Sequence, residues 1–383
     1  MAEGIEKTPA CQQEPYKKEL TANSDISLYN NEEELKRIVD AIIPTWQALV
    51  EDNPSLKEAL YELLRLLEKP VKKYYLLPED KPTELTATLI VLLLSGRYDY
   101  EELKDEIKMR YPKAKVEYYY EEGKIYLEIN FKNSDKYKLI INDAKLFKKA
   151  TATKLIKTLD FILIKANEQN FNPIIRFSLT NYMKAFGLES KESAYRLLKR
   201  DMKILSQIRF TQFSEQRRKA MIENIDIIHK GKITFNICEV EISNDLKLLC
   251  RFLTPLPAWS LKLSPKAYLL IREISISARL NTDKLLKEEM FNMSLWKVNS
   301  YIANHTPEET EHHKQLIIEP ILKAVKEIND YPENNGMVNL AIKCNEDYRN
   351  AEEFLNGYLE VKLSPELIEE LTNKRMLSKE NAR

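Results

Sequence analysis

Apolar residues recur every three to four positions in NEEELKRIVDAIIPTWQALV and NPSLKEALYELLRLLEKP, with breaks at Pro44, Pro54 and Pro70. That spacing predicts helices, and it continues through residues 83–95 and 100–110. The period then changes. KVEYYYEEGKIYLEIN reads as two β-prone runs around Glu121-Glu122-Gly123, a hairpin, and YKLIIN reads as a further strand. LFKKATATKLIKTLDFILIKANEQN returns to helical spacing. Leu146, Phe147, Ala150, Leu155, Leu159 and Ile162 supply much of its apolar face.

The next stretch, RFSLTNYMKAFGLESKESAYRLLKRDMKIL, has the layout of a helix-turn-helix. Ser178 suits the N-cap of a short helix ending at Phe186, and Gly187 suits a left-handed exit. Ser190 then caps a longer helix. On a wheel of about 100° per residue, Ala194, Leu197, Leu198 and Leu205 share one face. Arg196, Lys199 and Lys203 lie opposite, with Tyr195 and Arg200 on the shoulders. Only Glu192 opposes the basic face, and Asp201 lies towards the core side. Solvated helix faces usually mix signs to gain i,i+4 pairs; this one is nearly all basic, as a helix lying in a DNA major groove is. IRFTQF reads as a strand, the basic loop SEQRRK follows, and NIDIIHKGKITFNI reads as a hairpin turning at Lys230-Gly231. Three helices followed by strands with a basic turn is the order of a winged helix, with Arg217, Arg218, Lys219, Lys230 and Lys232 as candidate phosphate contacts.

A second round follows. FLTPLPAWSLKLSP reads as a turn region. SPKAYLLIREISISARLN reads as a helix capped by Ser264 with Pro265 in its first turn. MSLWKVNSYI suggests a short helix beginning at Ser294, TEHHKQLIIEPILKAVKEIND a long one, and NLAIKCNED and NGYLEVKL two strands. On the long helix, Ile317, Ile321, Ala324, Val325 and Ile328 face inward; His312, Gln315, Glu319, Lys323 and Lys326 face outward. That outer face is mixed in sign, which suits DNA contact, dimerisation and a plain structural role equally.

Charge sharpens this picture. The 383-residue chain has no net charge, yet residues 1–131 come to −8, residues 132–235 to +12 and residues 236–383 to −4. A basic block between acidic parts is the footprint of a nucleic-acid-binding module, although a lysine-rich solvated face has the same composition. Only 7 glycines occur and none cluster, which argues against a glycine-rich phosphate loop. Four scattered cysteines without a CxxC pair suit a reducing, cytoplasmic setting. LTATLIVLLLSG, at residues 85–96, is too short to span a bilayer and reads as a buried helix. Tyr118, Tyr119 and Tyr120 suit either a strand-pair aromatic face or base stacking.

KLFKKATATKLIKTLDFILIKANEQN, the helix-turn-helix stretch, FLTPLPAWSLKLSPKAYLLIREISISARLN and HHKQLIIEPILKAVKEI together resemble bacterial plasmid-type replication initiator proteins. The likeness covers residues 136–345 and rests on element order and loose motifs, of which LPAWSLKLSPKAYLL and IIEPILKAV are the most specific. The resemblance implies two winged-helix domains that bind repeated origin DNA. It also implies opening of a nearby AT-rich segment and recruitment of host replication proteins. It further implies a homodimer or a monomer–dimer equilibrium. Its DNA contacts would fall on the helix after Ser190 and, secondarily, on the helix after Thr310.

No catalytic constellation stands out. His229, His305, His312 and His313 form no His-x-His pair, and adjacent His312 and His313 point about 100° apart on a helix. The expectation is therefore a non-enzymatic protein without cofactor or metal, and without a membrane segment. The fold class expected is α+β, mostly helical. Residues 1–30 form a disordered tail and 31–131 an acidic helical region ending in a hairpin. Winged-helix domains occupy 132–245 and 246–372, and a tail 373–383. The expected partner is double-stranded DNA carrying origin or operator repeats, read by Lys191, Ser193, Tyr195, Arg196, Lys199, Arg200 and Lys203. Weaker candidates are Arg217, Arg218, Lys230, Lys232, His312, Gln315 and Lys323. A transcriptional regulator of the same fold and a protein-interaction module without DNA binding are the alternatives.

Overall fold

The long helix expected around residue 155 is buried on nearly every side, and the surrounding elements are arranged to cover it. In this computed structural model the described residues are 73–79, 115–130, 135–143, 152–214, 222–226, 228–243, 246, 252–302, 305–345 and 347–380. The chain divides into two units, Met1–Pro70 and Val71–Arg383, and every described residue belongs to the second. The tail at 1–30, the helices expected between 31 and 110, and the apolar stretch 85–96 lie outside the described residues.

Helix α1 (Ala152–Glu168) buries Leu155, Ile156, Leu159, Phe161, Ile162, Leu163, Ile164 and Ala166. Lys157, Thr158 and Asp160 are buried with them. After it come β5 (Ile174–Ser178), α2 (Leu179–Ala185) and α3 (Lys191–Leu205). The hairpin β8 (Lys230–Thr234) and β9 (Ile237–Glu241) completes this set. Strand β9 lies between β5 and β8, antiparallel to both. The order helix, strand, helix, helix, hairpin then recurs. Helix α4 (Pro265–Leu280) and the short α5 (Thr282–Glu288) lead into β11 (Met290–Ser294) and α6 (Leu295–Ile302). Helix α7 (Glu319–Asp330) follows, then β12 (Val338–Lys343), α8 (Ala351–Leu355) and β13 (Tyr358–Leu363). Its sheet has the same order, with β13 central between β11 and β12. Helix α9 (Pro365–Glu380) runs on into the segment expected as a tail.

Other strands form a sheet of their own. Strands β2 (Lys115–Glu121) and β3 (Lys124–Asn130) form the expected hairpin. They join β4 (Asp135–Ile141), β6 (Ile208–Ser214) and β7 (Ile222–Asp226) in one antiparallel sheet. The boundary expected at residue 131 falls between β3 and β4, which pair directly. Between α3 and β8 the chain therefore leaves the first set, adds two strands to this sheet and returns.

Three local expectations need correction. The hairpin turns at Phe235-Asn236, not at Lys230-Gly231. Gly231 lies inside β8, where a Cβ would sit 2.4 Å from Met202 Sδ, so this glycine permits strand and helix to approach closely. The expected turn region at 252–265 begins as a strand, β10 (Phe252–Pro257), antiparallel to β1 (Tyr74–Glu79), and continues as a 3-10 turn at Ala258–Lys262. Pro255 and Pro257 are tolerated because a two-stranded ribbon leaves a free edge. The long helix expected from Thr310 is not continuous: Lys314–Ile318 is a π-helical turn before α7. Pro320, which lacks an N–H, removes the α-helical bond to the carbonyl of Leu316.

Helix α4 buries every residue from Ala267 to Ala278 and packs on α1. Between them Arg272 Nε donates to Asp160 Oδ2 at 2.7 Å, and Tyr268 OH donates to the same oxygen at 2.6 Å. Asp160 is fully buried and Arg272 nearly so. Burial opposes the Arg272 charge, but the carboxylates of Asp160 and Glu273 overcome it and raise its pKa. Nearby, the buried Lys157 Nζ donates to the carbonyl of Leu261 at 2.9 Å and to that of Leu263. Burial, opposed by Glu327, pushes the Lys157 ammonium down to about 8.

Two outcomes are expected. Arg272→Met strands the Asp160 charge and costs about 3–5 kcal/mol in chemical denaturation, whereas Asp160→Leu combined with Arg272→Met recovers most of that loss. Stability also rises with pH from about 8 towards 10.5, because folded Lys157 releases its proton before the unfolded lysine does. The gain approaches about 3 kcal/mol, and denaturation of Lys157→Met across the same window lacks that slope.

Candidate nucleic-acid interface

Helix α3 begins as its sequence requires. Ser190 Oγ accepts from Ser193 N–H at 3.1 Å, and Gly187 before it has φ 62°. Ser178 caps α2 in the same way, accepting from Asn181 N–H at 3.0 Å. Ala194, Leu198, Met202, Ile204 and Leu205 are buried, while Leu197 is half-buried. The expected inner face is therefore correct and one row wider.

The outer face carries Lys191, Ser193, Arg196, Lys199 and Lys203, all exposed, with Tyr195 and Arg200 half-buried on the flanks. These side chains are not equivalent. Arg196 Nη2 pairs with Glu192 Oε1 one turn back, both groups more than two-thirds exposed. Lys199 Nζ lies 3.3 Å from Tyr195 OH and 5.3 Å from the ring centroid, so the tyrosine steadies the ammonium. Arg200 donates through Nε and Nη2 to Asp201 Oδ1, at 2.9 and 2.8 Å. That bond turns Arg200 towards the helix shoulder and gives it a structural partner. Lys191 and Lys203 mark the two ends of the basic face.

Asp201 explains how so basic a helix is held. Its carboxylate is fully buried; Oδ2 accepts from Thr158 Oγ1 of α1 at 2.7 Å, and Thr158 Oγ1 lies 2.9 Å from Tyr182 OH of α2. Burial raises the Asp201 pKa, an effect reduced by Arg200 and Thr158. The wheel placed Asp201 on the core side, but its partners on two other helices carry no sequence signal.

The hairpin is more mixed than its lysines suggested. Lys230 and Lys232 are exposed on β8. In register, Lys232 stands opposite Glu239 and Lys230 opposite Glu241. Glu239 also pairs with Arg176 Nε of β5 at 2.8 Å. Arg217, Arg218 and Lys219 lie outside the described residues. Sequence reasoning missed the hairpin tip: Phe235 is 80% exposed, and Asn236 Oδ1 accepts from Thr180 N–H at 3.2 Å and from its hydroxyl at 3.0 Å.

In the second set, Ile317, Ile321, Ala324, Val325 and Ile328 are buried, as the wheel required. His312, Gln315, Lys323 and Lys326 are exposed. Lys323 Nζ lies 3.6 Å from Glu319 Oε2, which keeps this face mixed in sign. Ser264, expected to cap α4, instead directs its N–H and hydroxyl to Glu327 of α7, the N–H at 2.5 Å. Among the described residues no group of three or more histidine, cysteine or acidic side chains is placed to hold a metal ion, and no helix is long and apolar enough to cross a membrane.

No family model and no curated protein matches the chain. Among solved structures, the crystal structure of RctB domains 2 and 3 aligns with a TM-score of 0.38 at 10% identity, over 68% of this chain and 94% of that one. A second, of selenomethionine derivatives of the same domains, aligns with a TM-score of 0.38 at 8% identity, over 66% and 91%.

The Glu192–Arg196 pair occupies the arginine nearest the start of α3, a side chain expected to read a base. Glu192→Gln frees Arg196 and removes the sole acid of the face. It should tighten binding to duplex DNA by a factor on the order of three, measured by fluorescence anisotropy, with little change in thermal midpoint.

Proposed function

We propose that this chain is a double-stranded DNA-binding protein of the bacterial cytoplasm that starts replication of a plasmid or similar mobile element by binding origin repeats. It does so without a catalytic step or a cofactor. In this reading residues 152–241 and 265–363 are two winged helices and α3 is the recognition helix of the first. The observation that carries the reading is the exposed face of α3. Lys191, Arg196, Lys199 and Lys203 project from a helix whose other side is fully committed to packing. The repeated element order, with the third strand central in both sheets, supports the winged-helix assignment. The initiator role rests on the resemblance carried by LPAWSLKLSPKAYLL and IIEPILKAV. Self-association through a monomer–dimer equilibrium and docking of host replication proteins belong to the same proposal.

Roles divide by position. Residues near the start of a recognition helix reach base edges, and later ones meet phosphates. Lys191, Ser193 and Arg196 are thus the base readers, while Lys199, Lys203 and the hairpin lysines hold the backbone. Arg200, tied to Asp201, positions the helix. On α7 and the turn before it, His312, Gln315 and Lys323 offer a second, weaker contact set.

The test is binding to duplexes from the DNA flanking the protein's own gene, against scrambled duplex, across a salt series. Tight, selective binding with a steep salt slope is expected. Replacing Arg196, Lys199 and Lys203 together by alanine should lower that slope by about two, one for each phosphate-holding lysine. Arg196→Ala alone should cost about 1–3 kcal/mol of discrimination at one base pair. Equal, weak binding to every duplex would overturn the proposal in favour of a protein-interaction module.

A further inference from the structure

The tip of the β8–β9 hairpin combines three properties that a solvated turn has no reason to combine. Phe235 is the most exposed of the large hydrophobic residues described, at 80%. Its φ is 55°, in the left-handed region where glycine or asparagine is the ordinary occupant of a two-residue hairpin turn. And the turn is fixed in place. The carbonyl of Asn236 accepts from Leu179 N–H at 2.7 Å, and its side chain accepts from Thr180. The residue next to Phe235 is therefore tied to the first turn of α2, the helix that leads through Gly187 into α3, while the ring itself lies in solvent.

A strained aromatic residue held rigidly in water is an unfavourable choice on folding grounds alone, and such outliers mark sites where a ligand is met. The hairpin that presents it carries Lys230 and Lys232, both exposed, on the strand leading to the tip. A lysine-bearing strand, faced by Glu239 and Glu241 on its partner and ending in a bare aromatic ring, suits a duplex whose backbone takes the lysines and whose base stack takes the ring. We propose that Phe235 is an apolar wedge, entering the minor groove beside the site read by α3 and partly unstacking one base step. This rests on the DNA-binding reading above and extends it: the first set reads with its helix and deforms with its hairpin. Pyrimidine–purine steps unstack most easily, so TA steps are the favoured point of entry.

The experiment uses the full chain and dye-labelled duplexes from the DNA flanking its own gene. Anisotropy reports binding, end-to-end energy transfer reports a kink, and permanganate reactivity of thymines locates the unstacked step. The wild type should kink the duplex by roughly 20–90° and expose thymines at one step. Phe235→Ala and Phe235→Gly should bind roughly tenfold more weakly and leave the duplex straight, with thymine reactivity at the free-DNA level. Phe235→Trp should retain the kink. Glycine suits a φ of 55°, so Phe235→Gly keeps the hairpin folded and its loss of kinking cannot be assigned to unfolding. Selective binding without a kink, or an unchanged kink in Phe235→Gly, overturns the wedge and leaves the DNA reader standing. Failure of the wild type to bind any duplex overturns both.

Discussion

A carboxylate and a guanidinium, both removed from water, hold the two helical sets of this protein in one arrangement. Asp160 comes from the first helix of one set and Arg272 from the first helix of the other, and Tyr268 completes the contact. Desolvating two charges is costly, so such a pair gives little net stability compared with a well-packed apolar substitute. What it gives is direction. An apolar interface between α1 and α4 would tolerate sliding, whereas a bidentate guanidinium tolerates one register. Lys157, donating to the carbonyls of Leu261 and Leu263, fixes the entry to α4 from the same helix. The separation of α3 and α7, and with it the geometry of any two-part binding site, depends on these few bonds.

The same device operates on a smaller scale inside the first set. Asp201 is an acid buried beneath a basic helix, and it reaches both other helices through Thr158 and Tyr182. Arg200 then satisfies the outer oxygen. Helix α3 is held by leucines for affinity and by one carboxylate for position. If α3 is the recognition helix proposed above, it needs that second quality, because hydrogen bonds to a base weaken steeply with misalignment.

Much of this architecture was legible in the chain. Ser178, Gly187 and Ser190 marked the helix boundaries because capping is local chemistry, written within four residues. The inner faces of α3 and α7 were legible because helical period is local too. What escaped was non-local. Gly231 looked like a turn residue, and only the side chain of Met202, far away in sequence, shows that it is there to let β8 approach α3. Strand β10 was hidden by its prolines and by a partner more than 170 residues earlier. The partners of Asp160 and Asp201 were equally unreadable, since a buried acid is identical in sequence to an exposed one. The basic face was visible, but its division into Arg196 held by Glu192, Lys199 steadied by Tyr195 and Arg200 held by Asp201 was not.

The face of α3 that points to solvent contributes almost nothing to holding the helix in place. Its packing rests on Ala194, Leu198, Met202, Leu205 and the Asp201 carboxylate, all on the other side. Substitutions at Lys191, Ser193, Arg196 and Lys199 therefore change what the helix meets without changing whether it folds. A lineage carrying this scaffold is free to change this surface by single steps, each tolerated by the fold. The surface proposed to meet a partner is the part of the domain least constrained by its own stability.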